Sequence, residues 1–153
     1  MARTRYFSLA VILLIIDRLT KWWAFSSLDF GVPNDLIGSV IRLTRVHNEG
    51  GAFGIFPGGG IVFLVVSSIV SLLLFLILLT MQIDSRLIRT GMAFVLAGAL
   101  GNLIDRIQWG YVLDFFEFRG FPIFNVADAC ITVGAVLIIL SILFGGERNR
   151  SQG

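Results

Sequence analysis

Two aspartates interrupt long apolar segments of the chain, and each follows an asparagine by three residues. Asn102 and Asp105 lie in the sequence GNLID, and Asn125 and Asp128 lie in the sequence FNVAD. Residues three apart share a helix face, so each segment is expected to present an Asn–Asp pair. Two carboxylates that face each other in a low-dielectric site tend to share a proton. Such a pair can activate a water and protonate a leaving amine, which predicts peptide-bond hydrolysis.

The same carboxylates are compatible with two other roles. Each ionisable residue inside a membrane span costs about 2.5–3.5 kcal/mol on an insertion scale, so each requires a reason. One alternative is a relay for protons or cations in a transporter, and the other is a structural contact between helices. A transporter would continue polar residues along both helices, whereas residues 129–144 contain only Thr132 and Ser141 of that kind. A structural subunit would leave two costly carboxylates unexplained.

The segments around these residues indicate an integral membrane protein. The chain has 153 residues, of which 56% are hydrophobic and 14% are charged, whereas a soluble domain has about 25% charged residues. Apolar segments long enough to cross about 30 Å of hydrocarbon as helices occupy residues 6–25, 60–81, 87–107 and 121–144. We therefore predict an all-α membrane protein of one domain, residues 1–153, with four transmembrane helices.

The longest connection, residues 26–59, carries a strand signal. Residues 40–46 alternate apolar and polar side chains, and Gly, Pro and Asn residues flank them. This pattern predicts a small extracytoplasmic β-cradle between helices 1 and 2. Basic residues that mark the cytoplasmic side cluster near both termini and in the second connection, namely Arg3, Arg5, Arg86, Arg89, Arg148 and Arg150. Both termini are therefore expected in the cytoplasm, with the aspartates near the outer leaflet.

Several other site classes are disfavoured by composition. A metal site needs about three good ligands, and the chain has one histidine, His47, and one cysteine, Cys130. A cysteine or serine nucleophile would need a nearby base, which no segment supplies. No segment combines basic and aromatic residues as a nucleic-acid-binding face does. We expect no metal, no cofactor and no nucleic-acid partner.

The chain resembles the lipoprotein signal peptidases, also called signal peptidase II, over almost its whole length. Five short motifs occur in the family's order. They are DRLTK at 17–21, NEGGAF at 48–53, AGALGNLIDR at 97–106, VLDF at 112–115 and FNVADA at 124–129. Each motif is weak by itself, whereas five in order are specific. Gly51 and Ala97 stand where the family usually has Ala and Gly, and both exchanges keep a small side chain.

The resemblance implies a membrane aspartyl endopeptidase of the bacterial cytoplasmic (inner) membrane. It would remove the signal peptide from diacylglyceryl-modified prolipoproteins by cleaving on the N-terminal side of the lipidated cysteine. Asp105 and Asp128 are matched to the catalytic aspartates of the family. The resemblance also implies no metal, contacts with membrane lipids and inhibition by globomycin-type cyclic peptides. We expect the protein to be a monomer.

A further set of residues is expected to bind substrate or support the two aspartates. Asp17 and Lys21 are four apart on helix 1 and should form an ion pair that braces the long connection. Arg106 is expected to bind a lipid phosphate or a loop carbonyl. Asp114 is expected to cap the backbone or to pair with Arg119, with a supporting role left open. The remaining members of the set are Asn48, Gly50, Asn102 and Asn125.

Overall fold

The protein, seen in a computed structural model, is described over residues 3–50 and 59–150. Helices dominate these residues, and two connections contribute strands. In chain order the elements are α1 (Thr4–Ser27), β1 (Asn34–Ile37), β2 (Ile41–Asn48), α2 (Gly60–Thr80), α3 (Arg86–Trp109), β3 (Val112–Phe118) and α4 (Val126–Arg150). The predicted residues Gly51, Ala52 and Phe53 of the NEGGAF motif lie outside the described residues.

Among the described residues, three helical segments are long and apolar enough to cross a membrane. They are Gly60–Thr80, Arg86–Trp109 and Val126–Phe144. Helix α1 has 24 residues, about 36 Å at 1.5 Å per residue, but it carries charges at Asp17, Arg18 and Lys21. A crossing by α1 therefore stays a prediction. The predicted start of the fourth span at residue 121 is wrong, because Phe124 pairs with Phe116 through two backbone hydrogen bonds before α4 begins.

Helix α3 is the centre of the bundle and contacts each of the other three helices. The backbones of α3 and α4 approach each other closely at Gly91 and Gly134. A Cβ atom added to Gly91 would lie only 2.6 Å from the carbonyl oxygen of Gly134, so this contact leaves no room for a side chain. Small residues allow such close approach between membrane helices. On its other side α3 buries Met92, Ala93 and Leu96 against residues of α1 and α2. This packing fixes the position of the polar residues at the far end of α3.

A three-stranded antiparallel sheet, in the order β1-β2-β3, lies at that end. The predicted strand at residues 40–46 is confirmed as β2. The prediction located the sheet only between helices 1 and 2, and this is wrong because β3 comes from the connection between α3 and α4. Residues 112–115 of β3 are all buried, so they show no alternation. The pairing aligns Asn48 with Val112 and Val46 with Asp114.

Candidate active site

Asp114 lies on β3 with its carboxylate enclosed by two asparagines. The side-chain amide of Asn48 donates to Oδ2 at 2.9 Å, and that of Asn125 donates to Oδ1 at 2.6 Å. Asp114 is 1% exposed. Burial and the nearby charge of Asp128 raise the pKa of Asp114 to about 7, although both asparagine hydrogen bonds act in the opposite direction. Asp114 therefore exchanges a proton near neutral pH.

Asp128 lies in the first turn of α4, in a reciprocal arrangement with Asn125. The backbone N–H of Asp128 donates to Asn125 Oδ1 at 2.9 Å, and the backbone N–H of Asn125 donates to Asp128 Oδ2 at 3.3 Å. This is a capping box, in which an N-cap residue and the third helical residue satisfy each other's backbone donors. The motif FNVAD thus starts the helix and holds the Asp128 side chain in one orientation.

Asn102, on α3, contacts Asp128 and Asn125 at the start of α4 and Lys21 on α1. Its amide donates to Asp128 Oδ1 at 2.8 Å. Its carbonyl oxygen accepts hydrogen bonds from Lys21 Nζ at 3.0 Å and from Asn125 Nδ2 at 3.1 Å. Because a buried amide both donates and accepts, this one side chain ties α1, α3 and α4 together. The predicted convergence of Asn102 and Asn125 on the aspartates is therefore present in the structure.

Asp105 has different surroundings from those that the sequence predicted. Its Oδ1 lies 2.5 Å from Arg18 Nη2, and its Oδ2 lies 2.7 Å from Lys21 Nζ and accepts from the backbone N–H of Leu113 at 3.2 Å. The side chain is fully buried. Two cations and a backbone donor therefore surround the Asp105 carboxylate.

Among the described residues no hydrogen bond or ion pair joins Asp105 directly to Asp128, so the pairing expected from the sequence is not seen as a contact. Asp128 reaches Asp114 through one shared residue, Asn125, because Asn125 contacts both carboxylates. The contacts from Asp128 to Asp105 pass through Asn102 and Lys21 in series. The sequence pattern missed this difference because two similar Asn-x-x-Asp motifs do not reveal which neighbouring element each carboxylate faces.

The predicted ion pair between Asp17 and Lys21 is present, with Oδ2 and Nζ 3.3 Å apart and both side chains 1% exposed. Asp17 Oδ1 also accepts from the backbone N–H of Ala127 at 3.0 Å. The pair thus attaches α1 to α3 and α4, and the expected brace of the long connection stays a prediction. Arg18, which the sequence analysis did not single out, contacts both Asp17 and Asp105. Its position inside a charged motif of an apolar segment was the available signal.

A cleft of about 550 Å³ opens beside Asp128. The other polar side chains of its wall are those of Asn48, Asn102, Arg106 and Thr132. The rest of the wall is mainly apolar, with Val112, residues 121–124, Ile131 and Val133. Among the described residues, no group of three or more His, Cys, Asp or Glu side chains is arranged to hold a metal ion. The cleft therefore offers a carboxylate, amides and a guanidinium beside an apolar surface.

Arg106 and Asn48 connect this cleft to the long connection. Arg106 Nη2 donates to the carbonyl oxygen of Gly50 at 3.3 Å, which is the loop-carbonyl contact expected from the sequence. Asn48 Oδ1 accepts from the backbone N–H of Gly50 at 3.0 Å. The expected contact between Asp114 and Arg119 is wrong, since the hydrogen bonds of Asp114 go to Asn48 and Asn125. Asn48 and Arg106 therefore line the cleft, and both contact Gly50.

Comparisons with known proteins agree with one another. A family model described as signal peptidase (SPase) II matches residues 9–144. The lipoprotein signal peptidase of Moorella thermoacetica is 38% identical over 143 residues, which covers 93% of this chain and 95% of that protein. The lipoprotein signal peptidase of Enterococcus faecalis is 35% identical over 150 residues, with 97% and 92% covered.

Solved structures give the same result at the level of the fold. A structure described as a bacterial membrane enzyme, determined by the in meso method at 2.3 Å resolution, superposes with a TM-score of 0.85 at 30% identity. It covers 92% of this chain and 88% of its own. A second, determined by the same method at 1.9 Å resolution, superposes with a TM-score of 0.82 at 30% identity and covers 92% and 94%.

Proposed function

The chain belongs to the signal peptidase II family, a family of peptidases that remove signal peptides from prolipoproteins, and on this premise we propose that it is an aspartic endopeptidase in which Asp114 and Asp128 act as a pair. The observation that carries the proposal is the position of Asn125, whose side chain contacts Asp114 and whose backbone contacts Asp128. One residue thereby contacts both carboxylates, of which that of Asp128 lines the cleft.

The protonation behaviour of Asp114 supports its role. With a pKa of about 7, Asp114 carries a proton for a large part of the time at neutral pH. A protonated carboxyl next to a second carboxylate is the arrangement that general acid–base hydrolysis requires. Because the two groups interact, the protons belong to the pair and not to either residue alone.

The reaction then proceeds without a covalent enzyme intermediate. Asp128 accepts a proton from a water molecule, and the water oxygen forms a bond to the carbonyl carbon of the scissile peptide. Asp114 donates its proton as the bond between that carbon and the peptide nitrogen breaks. The products are a carboxyl group on the signal peptide and a free amine on the lipidated cysteine. The proton now held by Asp128 returns to Asp114, which restores the pair for the next cycle, and the new carboxyl group releases its proton to solvent.

The other polar residues position this pair and the substrate. Asn48 fixes the second oxygen of Asp114, and Asn102 fixes Oδ1 of Asp128. Arg106 lines the cleft and can donate hydrogen bonds to the substrate backbone. Asp105, together with Asp17, Arg18 and Lys21, is an ion-paired anchor between α1 and α3 and takes no part in proton transfer.

The substrate is a diacylglyceryl-modified prolipoprotein, cut before the lipidated cysteine. The apolar wall of the cleft, which includes Phe121, Ile123 and Val133, suits a substrate that carries acyl chains. Helix α1 is the fourth span, because two of the three charges within its apolar stretch, Asp17 and Lys21, are buried in ion pairs and do not face lipid. The enzyme is a monomer in the bacterial inner membrane, with both termini cytoplasmic, the sheet outside and the cleft near the outer leaflet. Globomycin-type peptides occupy the cleft.

A cleavage assay tests the proposal. Purified full-length protein is incubated with a diacylglyceryl-modified prolipoprotein, and loss of the signal peptide is followed as a gel shift. The assay compares the wild type with Asp114→Asn, Asp128→Asn and Asp105→Asn, each checked for folding by circular dichroism, with and without globomycin. We expect both Asp114→Asn and Asp128→Asn to abolish cleavage. Full activity in a folded Asp114→Asn protein would refute the assignment, and an inactive wild type would refute the function.

A further inference from the structure

A second cavity lies at the opposite end of the bundle. It has a volume of about 260 Å³ and is formed by the beginning of α1, the end of α2 and the beginning of α3, with Arg3, Tyr6 and Arg89 in its wall. Tyr6 and Lys21 are fifteen positions apart on α1, so the cavity lies about 22 Å along the helix axis from Lys21, which contacts the cleft residue Asn102. The proposed peptidase reaction makes no use of it.

Arginines converge on this cavity around one aromatic ring. The guanidinium carbons of Arg5 and Arg89 lie 4.7 Å and 5.3 Å from the centroid of the Tyr6 ring, which is itself 5% exposed. Arg3 donates to the carbonyl oxygens of Leu79 and Thr80 at the end of α2, at 2.6 Å and 3.3 Å. The guanidinium groups of Arg3 and Arg89 thus line the cavity, and that of Arg5 lies against the ring of Tyr6 in its wall.

The described carboxylates balance the charge of this cluster only in part. Among the residues whose side chains the structure describes, 3–50 and 59–144, no ion pair involves Arg3, Arg5 or Arg89. Arg89 donates from Nη2 to the backbone carbonyl of Asp84 at 3.3 Å, and its buried Nε has no hydrogen-bond partner. Asp84 adds one negative charge to the cavity wall. Like charges held together in this way repel each other unless an anion or solvent screens them.

The chemistry of the cavity suits a phosphodiester. Guanidinium groups bind phosphate oxygens with paired, charge-assisted hydrogen bonds. A volume of 260 Å³ exceeds that of several water molecules at about 30 Å³ each, so a phosphate group fits. The cavity also lies where α2 ends and α3 begins, which is where two membrane-spanning helices are expected to meet the lipid headgroups. Anionic lipids attract basic residues at that depth.

We propose that this cavity binds the headgroup of one anionic phospholipid, with Arg89 and Arg3 on the phosphate and the Tyr6 ring holding the guanidinium of Arg89 in place. The bound lipid would connect the start of α1 to the start of α3, two helices that also meet through ion pairs near the cleft. The site is independent of the carboxylate pair, so it can be tested in protein that is not turning over substrate.

The experiment measures lipid binding to the purified full-length protein by native mass spectrometry. Protein in a zwitterionic detergent is titrated with phosphatidylglycerol or with phosphatidylcholine, and inorganic phosphate is added as a competitor in a separate arm. Arg89→Gln is compared with Arg86→Gln. Both variants remove one positive charge near the start of α3, but Arg86 does not line the cavity. Circular dichroism checks that each variant is folded.

We expect the wild type to bind phosphatidylglycerol at least about tenfold more tightly than phosphatidylcholine. Arg89→Gln should weaken phosphatidylglycerol binding about tenfold, and Arg86→Gln should change it less than about twofold. Equal losses in the two variants, or equal binding of the two lipids, would overturn the proposal in favour of general charge attraction. Displacement of the lipid by an equal concentration of inorganic phosphate would overturn it in favour of a free-anion site. If Arg89→Gln does not fold, Arg3→Gln decides by the same criteria.

Discussion

Asn125 and Asp128 exchange two hydrogen bonds across the first turn of α4, each side chain accepting from the other's backbone N–H. The same asparagine side chain also donates to Asp114 and to Asn102. The start of α4 and the orientation of both carboxylates consequently depend on one amide. In this protein the helix cap and the proposed catalytic pair cannot be altered independently at position 125.

Replacement of Asn125 by alanine should therefore reduce both stability and activity. Loss of the N-cap side chain costs about 1–2 kcal/mol, and Asp114 loses one of its two side-chain donors. We expect a lower midpoint of thermal unfolding and a cleavage rate reduced by about 100-fold. The matched control is Asn34→Ala, because Asn34 is exposed in β1 and bonds only backbone carbonyls. A cleavage rate within a factor of two of the wild type in Asn125→Ala would contradict the shared role.

Asp114 should make stability depend on pH. Its pKa in the folded protein, about 7, is raised above the ordinary value of 3.8. Folding favours the protonated form of Asp114. The stability that this preference adds to the folded protein is fully present below about pH 4 and is lost as the pH rises through about 7. A shift of this size corresponds to at most roughly 4 kcal/mol. The measurement is the thermal midpoint between pH 4 and 8 for the wild type and Asp114→Asn. The midpoint should fall with pH more steeply in the wild type, and parallel curves would refute the prediction.

Removal of Lys21 should expose the structural role of Asp105. Lys21 Nζ contacts Asp105, Asp17 and Asn102 in a buried environment. Lys21→Met leaves an uncompensated buried charge, which costs about 3–5 kcal/mol. The double variant Lys21→Met with Asp105→Asn removes one charge of each sign and should recover part of that loss. The checks are thermal unfolding and the cleavage assay.

The same double variant separates the two assignments of Asp105. If Asp105 is an anchor, the double variant should retain measurable cleavage, whereas Asp114→Asn should have none. If Asp105 were a member of the catalytic pair, the double variant would be inactive even when it is folded and as stable as the wild type. Lys21→Met alone serves as the control for the loss of the lysine.

Gly101 should tolerate no side chain, because a Cβ at this position would lie 2.6 Å from Asp17 Oδ2 and 3.2 Å from the Ala127 Cβ. Gly101→Ala should push Asp17 away from the first turn of α4 and cost about 1–3 kcal/mol. Gly60→Ala is the control, since a Cβ there meets its nearest atom at 3.4 Å. Thermal unfolding of the two variants measures the difference. Equal midpoints of thermal unfolding would show that the helices can move apart at Gly101 without loss of stability.

The spans and the strand β2 could be predicted because their signals are local. Continuous apolar segments predict α2, α3 and α4, and the alternation of residues 40–46 predicts β2. Strand β3 lacked that signal because residues 112–115 are all buried. A strand enclosed on both faces has no polar side to mark its period, and only the pairing with β2 defines it.

The choice between Asp105 and Asp114 could not be made from spacing alone. Asp105 follows an asparagine by three residues in a helical segment, as Asp128 does, and these two similar motifs suggest equivalent roles for the two aspartates. What distinguishes them is the partner element, since Asp105 faces the cations of α1 and Asp114 faces the start of α4. Such contacts join residues far apart in the chain, and no local pattern encodes them.

The ion pairs between α1 and α3 also have a consequence for the order in which the chain enters the membrane. Arg18 and Asp105 are 87 residues apart, so at about 5–20 residues per second the partner of Arg18 is synthesised roughly 4–17 s later. During that interval the charges of α1 lack Asp105, and stable insertion of α1 should wait until α3 emerges from the ribosome. A nascent chain truncated after α2 should therefore leave α1 more easily extracted by alkaline carbonate than one truncated after α3.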